Sequence, residues 1–260
     1  MTVLASTGGR LLAAAALTLL AGCGSPPVPS SSAAPDGSVS PTPIATIDQR
    51  ELVGGLLTCG DGTTFPANAL DGPGGAELGA DEAAAGLRAV LADTEGLQLP
   101  RSGWHLVALS ATRAQFIGRG GGPDAWFVVS LTRGAAGWTL DLAGECGLVV
   151  VLGPGIGPAA WWLDPAAGLP GPETREFTAL VQEQSCAGGR PPDGRIAAPL
   201  VVYRPDAVIV VFGVVPLPGG QDCQGSPPGK VRIVLTEPLG QRRLLDGGVV
   251  PPRDATKPPG

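Results

Sequence analysis

Residues 104–142 read WHLVALSATRAQFIGRGGGPDAWFVVSLTRGAAGWTLDL, and this stretch decides the fold. Trp104–Leu109, Arg113–Gly118, Ala125–Thr132 and Gly137–Leu142 are rich in aliphatic and aromatic residues and are separated by Ser-, Gly- and Pro-containing breaks. Short apolar runs between such breaks predict four strands in an antiparallel meander. In the last of them Trp138, Leu140 and Leu142 alternate with Thr139 and Asp141, which gives that strand one wet face. Upstream, Ala80–Ala92 carries a helical period with Ala80, Ala84, Leu87 and Leu91 on one face. Asp81 and Glu82 suit the positive end of its dipole, and Gly96 is a stop. Leu148–Leu152 adds a short apolar strand, and Asp48 with Glu51, flanked by Ile47 and Leu52, fits a capping box with a hydrophobic staple. The expectation over residues 44–152 is an α+β N-terminal module, a helix plus antiparallel meander in which the helix covers the sheet.

Residues 153–172 are rich in Gly and Pro and read as a joint between modules. Beyond it, Glu176–Gln184, Leu200–Tyr203, Ala207–Val215 and Val231–Thr236 read as strands. The run AVIVVFGVV at 207–215 is apolar on both faces, which marks a central strand, and Arg204-Pro205-Asp206 before it suits a tight turn. Residues 173–250 therefore form a small all-β sandwich-like module, and residues 251–260 (PPRDATKPPG) read as a disordered tail.

The 260 residues include 41 Gly and 28 Pro, about a quarter of the chain and near the level of low-complexity sequence. Yet 43% of residues are hydrophobic, only 15% are charged, and the mean hydropathy is +0.23. A chain with that much apolar surface folds, so the Gly and Pro excess belongs mainly in turns and tails. The net charge is -6 and the basic residues, mostly Arg, form no run. Nucleic acid, whose phosphates demand clustered cations, is excluded as a partner class.

At the start of the chain, Arg10 precedes the apolar run Leu11–Ala21, which is too short to span a bilayer and suits a secretory signal over residues 1–22. Leu20-Ala21-Gly22-Cys23 follows, and it resembles the lipobox of bacterial lipoproteins. The resemblance implies cleavage before Cys23, acylation of its thiol and attachment to the extracytoplasmic face of the cell membrane. Residues 23–43 then combine the acylated Cys23 with a Pro/Ser-rich stretch that cannot bury enough surface to order itself and reads as a tether.

Four cysteines remain, Cys59, Cys146, Cys186 and Cys223. An even number in an exported chain argues for disulfides, and of the three pairings we favour Cys59–Cys146 with Cys186–Cys223, which do not overlap and close one module each. No CxxC occurs, and the cysteines are too dispersed for a zinc site, so no metal and no cofactor are expected.

The sequence has no GxSxG and no SxxK, and the single histidine, His105, lies in an expected strand beside Trp104. Gly118–Gly122 lacks the Lys-Ser/Thr of a phosphate loop and reads as a hairpin turn. The carboxylates Asp141, Glu145, Glu173, Glu176 and Glu183 could supply a glycosidase pair but read more simply as solvated faces of an acidic protein, and Glu237, Arg242, Arg243 and Asp246 as salt bridges. Trp161 and Trp162 are the best binding candidates, because indole planes stack on sugars or anchor protein partners; interdomain packing competes with that reading.

The C-terminal third carries a longer pattern. Gly219-Gly220-Gln221-Asp222-Cys223-Gln224-Gly225-Ser226-Pro227-Pro228, then Leu235-Thr236-Glu237-Pro238-Leu239-Gly240-Gln241-Arg242-Arg243-Leu244-Leu245-Asp246-Gly247, resembles an uncharacterised group of actinobacterial exported proteins. Ser226 departs from that group, which commonly has Asn there, and the resemblance implies no activity. The expectation is a lipid-anchored envelope protein, non-enzymatic, that binds or supports an envelope protein or glycan. The alternatives are an envelope hydrolase using a carboxylate pair, and a solute-binding module with a pocket between the domains lined by Trp161 or Trp162.

Overall fold

The computed structural model describes residues 55–93, 98–122 and 125–259. The signal segment 1–22, Cys23, the 23–43 tether, the Asp48 capping box and Gly96 lie outside the described residues. Among the described residues the chain is mostly β, with one α-helix.

In the first part, β1 (Leu56–Thr58) and β2 (Thr64–Pro66) make a hairpin. Its turn is closed by the Asp61 carboxylate, which accepts the Thr63 N–H at 3.0 Å. Helix α1 (Glu82–Asp93) starts under an Asp81 cap, whose Oδ1 accepts the Ala84 N–H at 2.9 Å. It begins two residues later than expected, so Ala80 lies before the helix and is exposed while Ala83, Ala84, Leu87 and Val90 form the buried face. The meander follows as β3 (Trp104–Leu109), β4 (Arg113–Arg119), β5 (Trp126–Gly134) and β6 (Gly137–Cys146), paired antiparallel in that order. The short β7 (Val149–Val150) pairs with β1.

These elements make three layers, which explains why five consecutive residues of β4 are buried. One face of the meander carries Phe116, Val129 and Leu131 against Leu87 and Val90 of α1. The other carries Ile117 and Val128 against Leu57, Phe65 and Val150 of the three-stranded β2-β1-β7 sheet. Gly118 is required here: Trp104 lies opposite it, and a Cβ would stand 2.8 Å from the indole ring.

The second part has two four-stranded sheets. One is ordered β12-β8-β9-β13, from β8 (Gly157–Leu163), β9 (Glu176–Glu183), β12 (Gly213–Val214) and β13 (Gly229–Val234). The other is ordered β10-β11-β14-β15, from β10 (Leu200–Tyr203), β11 (Ala207–Val211), β14 (Arg243–Asp246) and β15 (Arg253–Asp254). As its apolar sequence requires, β11 is central, antiparallel to β10 and parallel to β14. The run 207–215 does not stay in one sheet: after Phe212 it passes as β12 to pair with β8 in the other. Gly213 makes that crossing possible, since a Cβ there would meet Ile156 at 2.3 Å and Leu152 at 2.6 Å. Trp161, Phe177, Val181, Val208, Val210 and Phe212 fill the space between the sheets.

Two expectations are corrected. Residues 153–172 are not a plain joint, because 157–163 form β8, an interior strand; Gly and Pro flank the strand instead of filling the segment. Residues 251–260 are not a loose tail either. β15 pairs with β14, Ala255 is fully buried, and Leu163 donates its N–H to the Ala255 carbonyl at 2.8 Å, so the segment closes the sandwich core.

Candidate functional site

The described residues all belong to one compact unit, and the two parts are joined through residues 246–250. Val150 donates to the Gly248 carbonyl at 3.1 Å, Val250 donates to the Leu148 carbonyl at 3.0 Å, and the Trp126 indole N–H donates to the Val250 carbonyl at 2.9 Å. On the other side of this seam sits Asp246, fully buried. Its Oδ1 accepts the Gly248 N–H at 3.0 Å, and its Oδ2 accepts the Trp161 N–H at 3.3 Å and an Arg253 guanidinium N–H at 2.9 Å. Burial pushes the Asp246 carboxyl above the usual aspartate range, against the lowering pull of the Gly248 N–H and Arg253.

Beside the seam lies a cavity of about 230 Å³. Leu57, Ala67, Leu70, Trp126 and Val150 wall it from the first part, Ile209, Val211 and Val249 from the second, and Asp71 is its one acidic lining residue. The second part presents these side chains because β11 alternates: Val208 and Val210 face the sandwich core, while Ile209 and Val211 belong to a separate cluster on the opposite face. Gly247 keeps the space open, since a Cβ on it would meet Ile209 at 2.4 Å and Val211 at 2.9 Å. Trp126 meets the cavity with its N–H already bonded, and the Arg119 guanidinium lies 5.4 Å from its ring centre. A space lined this way offers dispersion and burial, with few directional polar contacts.

The residues singled out in the sequence divide sharply. Trp161 is fully buried in the sandwich core, stacked on Phe177 at 5.9 Å and edge-on to Phe212 at 5.8 Å, with its indole N–H donated to the Val210 carbonyl. Trp162, on the other face of β8, is also buried. Neither lines the cavity, so the aromatic residue at the junction is Trp126 and not the Trp161–Trp162 pair. Both tryptophans pack inward because β8 is an interior strand buried on both faces.

Cys59–Cys146 and Cys186–Cys223 are bonded, separated by 87 and 37 residues. Two disulfides fit an oxidising, extracytoplasmic environment. Of the carboxylates, Asp141 pairs with Arg113, Glu176 with Arg232, Glu183 with Arg195, Glu237 with Arg242 and Asp246 with Arg253. Glu145 and Glu173 are exposed. His105 is half-buried in β3. Among the described residues no cluster of three His, Cys, Asp or Glu is placed to hold a metal ion.

No family model, no curated protein and no solved structure matches this chain. The geometry alone carries the functional argument.

The cavity wall was only partly legible. β1 and β2, which supply or position Leu57, Ala67 and Leu70, are three residues each. Gly60-Asp61-Gly62 between Leu57 and Phe65 was the available signal, a run of three turn-forming residues between apolar ones. The contribution of Val249 comes from a pairing with Val149, a hundred residues earlier in the chain, that no local pattern reveals.

Proposed function

We propose that this is an exported, lipid-anchored, non-enzymatic binding protein that holds an apolar ligand in the cavity between its two parts. The observation that carries the reading is the aliphatic wall shared by Leu57, Val150, Ile209, Val211 and Val249 beside Trp126. Burial there rewards a ligand with a slender apolar end, and the Asp71 carboxylate favours a hydroxyl or amide over an anionic head group. Anchoring rests on Leu20-Ala21-Gly22-Cys23 and the run before it; acyl chains on Cys23 would keep the protein beside a source of apolar ligands.

A series of primary alcohols of increasing length, titrated into the exported chain, tests the cavity. Each added methylene should tighten binding roughly fourfold, the equivalent of about 0.8 kcal/mol, until the cavity is full, after which affinity levels off. Val249→Phe, which fills the space, should shorten the length at which the plateau is reached; a series with no length dependence contradicts the reading. For the anchor, metabolic labelling with an alkyne fatty acid should mark the wild type and not Cys23→Ala, and equal labelling of both sinks the lipid attachment.

A further inference from the structure

The two disulfides differ in how far solvent reaches them. Cys146 is 5% exposed and Cys59 is half-buried, and both pack with the Leu57, Phe65 and Leu148 cluster of the first part. Cys186 and Cys223 are both exposed. They also line a recess of about 330 Å³, together with Gln182, Gln184, Ser185 and Gly225. This second bond therefore stands in water with open space beside it for the body of a small attacking molecule.

The loops that it joins do not depend on it alone. Gly188 donates its N–H to the Asp222 carbonyl at 2.9 Å, and the Arg190 guanidinium donates to the Gln221 side-chain oxygen. Gln182 donates to the Ser226 carbonyl at 2.7 Å, which ties the loop after Cys223 to β9. Ala187, next to Cys186, is buried. These contacts bracket the bond in sequence, so opening it leaves the two sulfurs close together. Opening Cys59–Cys146 would instead disturb a packed core.

Exchange at a disulfide needs a thiolate that can reach a sulfur, and exposed bonds are the labile ones. We propose that Cys186–Cys223 is a site of reversible modification by a low-molecular-weight thiol. The thiolate attacks one sulfur of the pair, the S–S bond breaks, and a mixed disulfide forms. The other cysteine leaves with the electron pair of the broken bond and takes up the proton that the attacking thiol gave up. One disulfide replaces another, so this step consumes no oxidant or reductant. Because the loops stay joined, the freed cysteine lies beside the mixed disulfide and displaces the small thiol when its concentration falls.

Reduced glutathione at millimolar concentration, added to the exported chain at neutral pH without denaturant, tests the site. After free thiols are trapped with N-ethylmaleimide, peptide mass analysis should find Cys186 and Cys223 labelled or carrying glutathione, while Cys59 and Cys146 stay bonded to each other. Near-ultraviolet circular dichroism, which reports the packing of the buried Trp161, should be unchanged, and replacement by oxidised glutathione should restore the Cys186–Cys223 bond. In Cys186→Ser, oxidised glutathione should leave a lasting adduct on Cys223, because the displacing thiol is gone. Labelling of all four cysteines at one rate, or no labelling of Cys186 and Cys223 until denaturant is added, overturns the proposal. So does an unmodified Cys223 in Cys186→Ser, or loss of the circular dichroism signal as the bond opens, which would make this disulfide a staple of the fold and not an exchange site.

Discussion

Each part of the molecule uses a buried carboxylate to hold a junction, and the two carboxylates titrate in opposite directions. In the first part Glu77 accepts the N–H groups of Gly103 and Trp104 at 3.0 and 3.1 Å, pinning the loop before α1 to the start of β3. Burial raises its carboxyl, but those backbone donors outweigh it and the net shift is downward. In the second part Asp246 also accepts two backbone N–H groups and has Arg253 besides, yet its carboxyl is raised. Depth decides between them. Glu77 keeps some contact with water at the edge of its layer, whereas Asp246 is fully buried at the seam, where removal of water outweighs even a guanidinium partner.

The disulfides offer the largest test of the contrast between the parts. Cys59–Cys146 closes 87 residues and ties the hairpin to the end of β6, with Cys146 in the core; Cys186–Cys223 closes 37 and joins two exposed loops. On the loop-entropy model their removal costs about 5 and about 4 kcal/mol. Cys59→Ala with Cys146→Ala should therefore lower the urea midpoint more than Cys186→Ala with Cys223→Ala, and it loses core packing as well. The reverse order would show that the second part is the more dependent on its staple.

A smaller effect separates the two carboxylates by pH. Glu77 has a folded value below its ordinary 4.5, so the unfolded chain binds more protons between the two values. The stability it contributes is present above about pH 4.5 and is lost as pH falls through the folded value. Asp246 has a folded value above its ordinary 3.8, so here the folded chain binds more protons, and stability falls as pH rises from about 3.8 to the raised value. Urea midpoints measured against pH should show the acid-side loss reduced in Glu77→Gln and the decline on raising pH reduced in Asp246→Asn. Matching slopes in both variants would contradict the assignment by depth.

How much of this was legible beforehand follows from which interactions are local. β3 and β10 begin and end where their sequences predict, and the other long strands deviate by a few residues, because apolar runs between turn residues are local signals. The cysteine pairing was readable from chain order. β8 was not, because Gly and Pro on both sides of GPAAWWL mask a strand whose stability comes from neighbours β9 and β12. β14 and β15 were missed for a related reason: RLLD and RD are too short to show a period, and they are strands because β11 offers β14 a parallel edge and β14 offers β15 an antiparallel one. The cavity inherits both difficulties, being walled by segments on opposite sides of the fold. Trp126 was read correctly as part of a strand and not as a wall of a site, since nothing local distinguishes it from Trp104.

The central claim is that the junction cavity takes an apolar ligand beside Trp126, and bromoalkyl alcohols test it most directly. Bromine quenches indole fluorescence at short range, and Trp126 lines the cavity whereas Trp161 and Trp162 do not. The account predicts saturable quenching in the wild type, its loss in Trp126→Phe although four tryptophans remain, and weakened binding in Val249→Phe. Saturable quenching that persists undiminished in Trp126→Phe, or no saturable quenching in the wild type, would contradict it.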